Sequence, residues 1–372
     1  MRDTVALDLP EGAYGSESFF VREREAVFRG TWTLAGFGYQ IPEPGDAMPV
    51  TVAGLPLLLV RSETGEVRVF HNVCLHRGCP LIREPVRRQK RLTCLYHGWA
   101  YDLGGRLRAR PYFLEGGRHD IVDRKSGLGL EPVRSAQWSD LVFVNLGGKA
   151  APFEEYARPM LSRVADYDLS MLRHGDRVLD FDVAGNWKLV AENWLDALHI
   201  FAIHPELNDF ADQSGRERTE VDGHMFPGVY EFAEPRAGMV LDPGRRRVMS
   251  REGANRVWSF YMFPSVFIQV RPDHLVVFDL VPVAPDRTRE HIHFYFMGAA
   301  ADDTENAEAR RIVYEAWDAI NAQDIGPIEG MQEGRQSTAF RGLLASPYWD
   351  EALTHFTHLV NSHMADGGLA HG

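Results

Sequence analysis

Cys74, His76, Cys94 and His97 sit in two short stretches, HNVCLHRGCPL at 71–81 and CLYHGWAYD at 94–102. Thiolates and imidazoles brought together by tight loops are metal ligands by type and by spacing. The chain holds three cysteines in all, and the third, Cys79, is left over. Cysteines placed beside histidines do not read as a disulfide framework, so the expectation is a reduced, cytoplasmic protein with Cys79 as a spare core or loop thiol.

Three chemistries compete for the pattern Cys74-x-His76, seventeen residues, Cys94-x-x-His97. A structural zinc accepts two Cys and two His in a tetrahedral shell. A plant-type ferredoxin motif begins with the Cys-x₄-Cys spacing of Cys74 and Cys79, but it needs a following Cys-x₂-Cys that is absent. A Rieske [2Fe–2S] centre needs Cys-x-His and Cys-x-x-His loops that face one another, which is the arrangement present. Histidine ligation raises its potential above that of all-cysteine clusters, which makes it a one-electron relay. Gly78 and Gly98 are read as points where the backbone approaches the cluster and offers amides to sulfur.

A relay needs a destination. NWKLVAENWLDALHIFAIHPEL, 186–207, carries Asn193, Asp196, His199 and His204. The first three recur at helical intervals and can share a face. His204 is five residues beyond His199, so the helix must loosen or end between them, and Pro205 offers the means because a residue before proline avoids the α region. Two histidines and one carboxylate are the ligand set of non-haem Fe(II) oxygenases. Asp196 and Asp324, the latter in NAQDIGPIEGMQEG, are rival third ligands, and spacing does not choose between them.

Several elements must position these residues. A helix is expected over 16–30, capped by Ser16 or Ser18 and ending at Gly30. Short β-branched runs such as TWTLAGF, LPLLLVRS and EVRVFHN then describe an antiparallel β domain extending to about 147. Helix is expected at 153–173, a second β-rich region from 177 to 300 interrupted by a helix at 187–203, and further helices at 302–333 and 348–364. The resulting fold class is α+β, a small β domain inserted into a larger one. Forty Lys and Arg against fifty-two Asp and Glu give a formal charge of −12, which argues against a nucleic-acid partner. No apolar run approaches the length that spans a bilayer, and MRDTVALDLPEGAYG lacks the apolar core of a signal peptide, so no membrane partner is expected.

Taken together, C-x-H-x₁₇-C-x-x-H followed by N-x-x-D-x-x-H-x₄-H resembles the α subunits of Rieske non-haem iron ring-hydroxylating oxygenases, over nearly the whole chain. The ENWLDALHIFAIHPEL and INAQDIGPIEGMQEGRQS segments are similar to the smaller betaine- and choline-type members and the monooxygenases that demethylate or hydroxylate. The resemblance implies a Rieske-type β-sandwich at 38–150 and a helix-grip catalytic domain at 151–372, an antiparallel sheet around a long helix, with 1–37 as an N-terminal helical segment packing on the latter. It implies that Cys74, His76, Cys94 and His97 bind the cluster and that His199, His204 and Asp324 bind the mononuclear Fe(II). Asp196 would then bridge to a Rieske histidine of a neighbouring subunit in a head-to-tail homotrimer, with Asn193 orienting the iron site.

The implied chemistry is reductive O₂ activation that hydroxylates a ring or removes a methyl group from nitrogen or oxygen of a small substrate. The chain has no G-x-G-x-x-G fingerprint, so a separate NAD(P)H-dependent reductase, with or without a ferredoxin, must deliver electrons. RRQKR at 87–91 is either a patch that steers an acidic redox partner or a solvated hairpin tip. Phe210, Tyr230, Phe232, Phe260, Tyr261, Phe263 and Phe267 offer a cage for an ammonium or a slot for an arene. Arg236, Arg256 and Arg271 are candidates for holding a carboxylate. Outside this class stand a zinc-stapled binding protein and a pure Rieske electron carrier.

Overall fold

The computed structural model describes residues 5–7, 9–123, 126–207, 219–232, 234–241 and 247–367. The chain forms two compact units, Phe28–Ala150 and the remainder, Met1–Val27 with Ala151–Gly372.

In the first unit the strand Leu55–Arg61 lies between Ala47–Val52 and Val67–His71. Its side chains alternate between two cores, as the two-residue period of a strand requires. Leu58 and Val60 pack with Phe70, Leu81 and Tyr101, whereas Leu57 and Leu59 pack with Val52, Val69 and Val144. Burial on both faces explains why LPLLLVR reads as an unbroken apolar run. A second sheet runs Leu92–Thr93, Ala100–Tyr101, Leu107–Leu114 and Arg118–Ile121. In the third, Leu141–Val144 pairs with both Ser135–Trp138 and Thr33–Phe37. Because of that pairing Thr33–Phe37 belongs to this unit, and the N-terminal segment ends near residue 27 rather than 37.

The second unit is built on a six-stranded antiparallel sheet. Its order is Leu172–Val183, Arg287–Met297, His274–Ala284, Val266–Val270, Arg256–Met262 and Met225–Glu231. Against it packs the 28-residue helix Ala307–Gly334, whose buried positions Val313, Trp317, Asn321, Asp324 and Ile328 recur every three or four residues. Val183, Leu189, Val190, Leu280 and Ile328 form the core between this helix, the helix Trp187–Leu195 and the sheet. A carboxylate on that inward stripe, Asp324, is out of place unless something at the core needs it.

Two expected helices are shorter. The 153–173 region holds only Phe153–Tyr156 and Arg158–Arg163, and the strand Leu172–Val183 takes over its end. Pro159 forces a new start, since it cannot continue a helix that precedes it. The 187–203 helix ends at Leu195. Asp196 leaves the helical region (φ −89, ψ 109), and its carboxylate accepts from the Leu198 amide at 2.6 Å. That side-chain bond offers the backbone an alternative to another helical turn. Asn193, Asp196 and His199 therefore do not share one helix face. A short helix, Ile200–Ile203, follows, and His204 ends it at φ −119 and ψ 69 before Pro205.

Candidate metal centres and active-site cavity

The two Cys/His loops of the first unit close in the same way. The Cys74 amide donates to the Cys79 carbonyl at 2.8 Å and the Gly78 amide returns to the Cys74 carbonyl at 3.0 Å. Cys94 pairs with Trp99 at 2.9 Å and Gly98 with Cys94 at 3.0 Å. Gly78 and Gly98 adopt φ of 70 and 69, a region that L side chains avoid. Their amides are spent on these carbonyls, so the glycines serve the turn, which corrects the reading of them as donors to sulfur.

The closed loops bury Cys74 and Cys94 at their bases and carry the His76 and His97 rings at their tips, with centroids 4.5 Å apart. Trp99 stacks flat on His76 at 4.7 Å, fixing that ring, and His76 Nδ1 is buried without a hydrogen-bond partner. Tyr101 Oη accepts from the Leu75 amide at 3.1 Å, which turns its proton toward Cys74 Sγ at 3.3 Å. Burial pushes the Cys74 thiol up, against the Tyr101 hydrogen bond. Two sulfurs below and two imidazoles above are a donor set that fits a histidine-ligated [2Fe–2S] cluster. Cys79 packs on the hydrophobic core, and all three cysteines are free thiols.

Nearby, Arg87 donates to the Gln40 carbonyl at 2.5 Å and to buried Asp46 at 3.3 Å, so part of the RRQKR segment is structural. Arg88 and Lys90 remain exposed.

In the second unit the ring of His199, at the start of the short helix, and that of His204, at its end, lie 5.2 Å apart. Asp324 Oδ1 is 3.0 Å from His204 Nε2 and 3.5 Å from His199 Nε2. It nevertheless makes no hydrogen bond, although it is buried. Three potential ligand atoms within 4.8 Å of one another, two imidazole nitrogens and a buried carboxylate oxygen that makes no hydrogen bond, fit a shared cation. His204 Nδ1 is held by Gln323 Oε1 at 2.6 Å. Asp196 Oδ2 lies 3.6 Å from His199 Nδ1, with its side chain a third exposed. Between the two rival carboxylates, the geometry groups Asp324 with the imidazoles and leaves Asp196 behind His199.

These three residues open onto a cavity of about 560 Å³, a size that suits a small organic ligand. Trp194, Phe226, Tyr230, Tyr261, Phe267 and Trp317 supply its aromatic wall, and Asn193 lines it from the last turn of its helix. Tyr230, Tyr261 and Phe267 were expected from sequence. Phe232, Phe260 and Phe263 are core residues instead, and Phe210 lies outside the described residues. Arg236 and Arg271 line the cavity, whereas Arg256 pairs with Glu231 at 2.7 Å and does not.

Sequence reasoning missed Glu290. Its buried carboxylate accepts from Trp194 Nε1 at 3.2 Å and from Asn321 Nδ2 at 2.7 Å, and burial pushes it up to about 7. A glutamate in the run TREHIHFYF carries no local sign of burial, and only sheet pairing puts it inside.

Family models decide the class. The Rieske [2Fe-2S] domain matches residues 31–115, and the ring hydroxylating alpha subunit (catalytic domain) matches 168–366. The chain belongs to the ring-hydroxylating alpha-subunit family. This alpha subunit is 25% identical to the glycine betaine monooxygenase oxygenase subunit of Pseudomonas aeruginosa, over 90% of this chain and 84% of that one. It is 24% identical to the carnitine monooxygenase oxygenase subunit of Acinetobacter pittii, over 96% and 95%. A solved quaternary ammonium Rieske monooxygenase, CntA with gamma-butyrobetaine, shares its fold at TM-score 0.76 and 20% identity, covering 97% of this chain and 96% of that one. Naphthalene 1,2-dioxygenase from Rhodococcus does so at 0.71 and 18%, covering 98% and 95%.

As a Rieske non-haem iron oxygenase, this alpha subunit carries both a [2Fe–2S] domain and a mononuclear-iron catalytic domain. It is the terminal oxygenase component, using O₂, a small substrate and electrons from a reductase. The catalytic-domain match sets aside the zinc-stapled protein and the pure electron carrier. Among the described residues no helix is long and apolar enough to cross a membrane.

Proposed function

We propose that this oxygenase component oxidises a methyl group of a small quaternary ammonium compound. Cys74, His76, Cys94 and His97 hold the cluster, and His199, His204 and Asp324 hold Fe(II). The carrying observation is the convergence of two imidazoles and a buried carboxylate oxygen that makes no hydrogen bond on a cavity walled by Trp194, Tyr230, Phe267 and Trp317. Aromatic faces attract a methylated ammonium, which cannot hydrogen-bond, and they exclude water around it. Relatives named for glycine betaine, carnitine and choline support this over an arene.

Bound iron supplies the site at which O₂ is reduced beside the substrate. The chain's own residues set the stage. Gln323 keeps the Nε2 lone pair of His204 facing inward, while the aromatic wall turns an N-methyl toward the triad. One oxygen atom enters a C–H bond and the other leaves as water, with two electrons and two protons consumed. The N-hydroxymethyl product then loses formaldehyde and a proton, leaving the tertiary amine.

A homotrimer with Asp196 as inter-subunit bridge completes the proposal. Its support is the exposure of Leu95 (78%) and Tyr96 (59%) beside His97, an apolar tip suited to a neighbouring copy, and the half-open position of Asp196 behind His199. Electrons come from a reductase, directly or through a ferredoxin.

Single turnover of chemically reduced protein with O₂ tests the substrate. Methylated ammonium compounds should give formaldehyde and the demethylated amine. A hydroxylated ring from aromatic acids, without formaldehyde from the ammonium panel, would replace this reading with the arene one.

A further inference from the structure

Arg271 is only 7% exposed, yet it lines the cavity. Its Nε donates to Gln269 Oε1 at 3.1 Å and Nη1 to the Met239 carbonyl at 2.9 Å, while Nη2 reaches Tyr230 Oη at 3.4 Å. The guanidinium lies 4.9 Å from the centre of the Trp317 ring. Every one of these neighbours is neutral. The nearest acid in sequence, Asp273, is committed to the Leu241 amide at 2.8 Å and to His274 Nδ1 at 2.7 Å.

Other buried cations of this unit are treated differently. Lys188 meets Glu23 at 2.6 Å, Arg335 meets Glu192 at 2.5 Å, and Arg310 meets Asp176 at 3.3 Å. Among the described residues no carboxylate lies within ion-pair distance of Arg271. A buried charge without a counter-charge is costly, and this one faces open cavity space.

Its distance from the metal site also follows from the fold. Trp317, under the guanidinium, and Asp324 are seven residues apart on one helix, two turns or roughly 10 Å along its axis. The aromatic wall lies along the same cavity. A ligand spanning it can place an anion at one end and a methyl group at the other.

We infer that Arg271 binds a carboxylate of the substrate, so that the enzyme takes an ammonium carboxylate rather than a simple ammonium alcohol. This rests on the proposal that the cavity is the substrate site. It adds a second point of attachment, and with it a reading direction along the cavity.

The test uses calorimetric titration of the anaerobic, reduced, iron-loaded enzyme with three probes of one length. These are trimethylammonium butanoate, the matching trimethylammonium alcohol, and the carbon isostere of the first, in which a tert-butyl group replaces the ammonium. Charge-assisted hydrogen bonds to a guanidinium predict that the butanoate binds about ten- to a hundredfold tighter than the alcohol. Arg271→Gln should erase that preference while leaving the alcohol unchanged, and Arg271→Lys should keep part of it if the Gln variant does not fold.

Equal binding of butanoate and alcohol by the wild type would overturn the inference. So would a preference that survives Arg271→Gln, or one that Arg271→Lys leaves undiminished. The isostere separates the two proposals: if it binds in an Arg271-dependent way while neither ammonium compound does, the carboxylate anchor stands and the ammonium reading falls.

Discussion

His204 Nδ1 lies 2.6 Å from Gln323 Oε1, the side chain that immediately precedes Asp324. The amide oxygen accepts only, so the imidazole proton resides on Nδ1 and the Nε2 lone pair is turned toward His199 and Asp324. One helix thus supplies both the carboxylate and the group that sets its neighbour's tautomer. Gln323→Leu should lower Fe(II) affinity about 10- to 100-fold while the cluster remains. Iron and acid-labile sulfide measured on the same sample would show this as a fall in mononuclear iron per cluster. An unchanged ratio and titration would make Gln323 a bystander.

Asp196 ends its helix by accepting from the Leu198 amide, and its other oxygen sits 3.6 Å from His199 Nδ1. Asp196→Asn keeps an acceptor for the turn but removes the charge. With the bridge role proposed above, both metals should load and single turnover should fall by several orders of magnitude. Turnover at the wild-type rate would end the bridge assignment.

Tyr101 is positioned to stabilise charge on Cys74. A hydrogen bond to sulfur favours the more negative, reduced cluster. Tyr101→Phe should therefore lower the reduction potential by several tens of millivolts, the scale of one charge-assisted bond in a one-electron couple. Redox titration followed by the visible spectrum reads this directly.

The basic segment divides by exposure. Arg87 holds Asp46, whose carboxyl stays below its ordinary value under the Arg88 and Glu43 amides and Arg87, so its loss would disturb the fold. Arg88→Ser with Lys90→Ser tests steering without that damage. Reduction by the physiological donor should slow a few-fold at low salt and converge with wild type at high salt. Equal rates at low salt would leave a solvated tip.

The cluster loops were legible because their information is local: two loops, each with its Cys and His within four residues and a glycine that permits the turn. His204 before Pro205 was legible for the same reason. The third proposed iron ligand was not, since Asp324 lies 120 residues beyond His204 and only the resemblance singled it out. The break at Asp196 was missed because periodicity favours a continuous helix, while one carboxylate bonding its own backbone decides otherwise. Arg271 was one of several arginines in sequence. What sets it apart is that no carboxylate among the described residues pairs with it, which only the assembled sheet and helix determine.

Glu290 gives the fold a pH dependence of definite sign. Trp194, Asn321, Asp324 and His291 surround its carboxylate, and burial outweighs the two hydrogen bonds, raising it from an ordinary 4.5 to about 7. Between those values the folded chain holds a proton that the unfolded chain has lost. This contribution therefore falls as pH rises from about 4.5 to 7 and stays low above that. Glu290→Gln keeps the bond from Trp194, and a turn of the Asn321 amide restores the other. The variant should thus exceed wild type by about 3 kcal/mol at pH 8 and by little at pH 5. Denaturant unfolding of chelator-treated protein at the two pH values gives the difference. A gain that is the same at both would assign the effect to packing rather than to the proton.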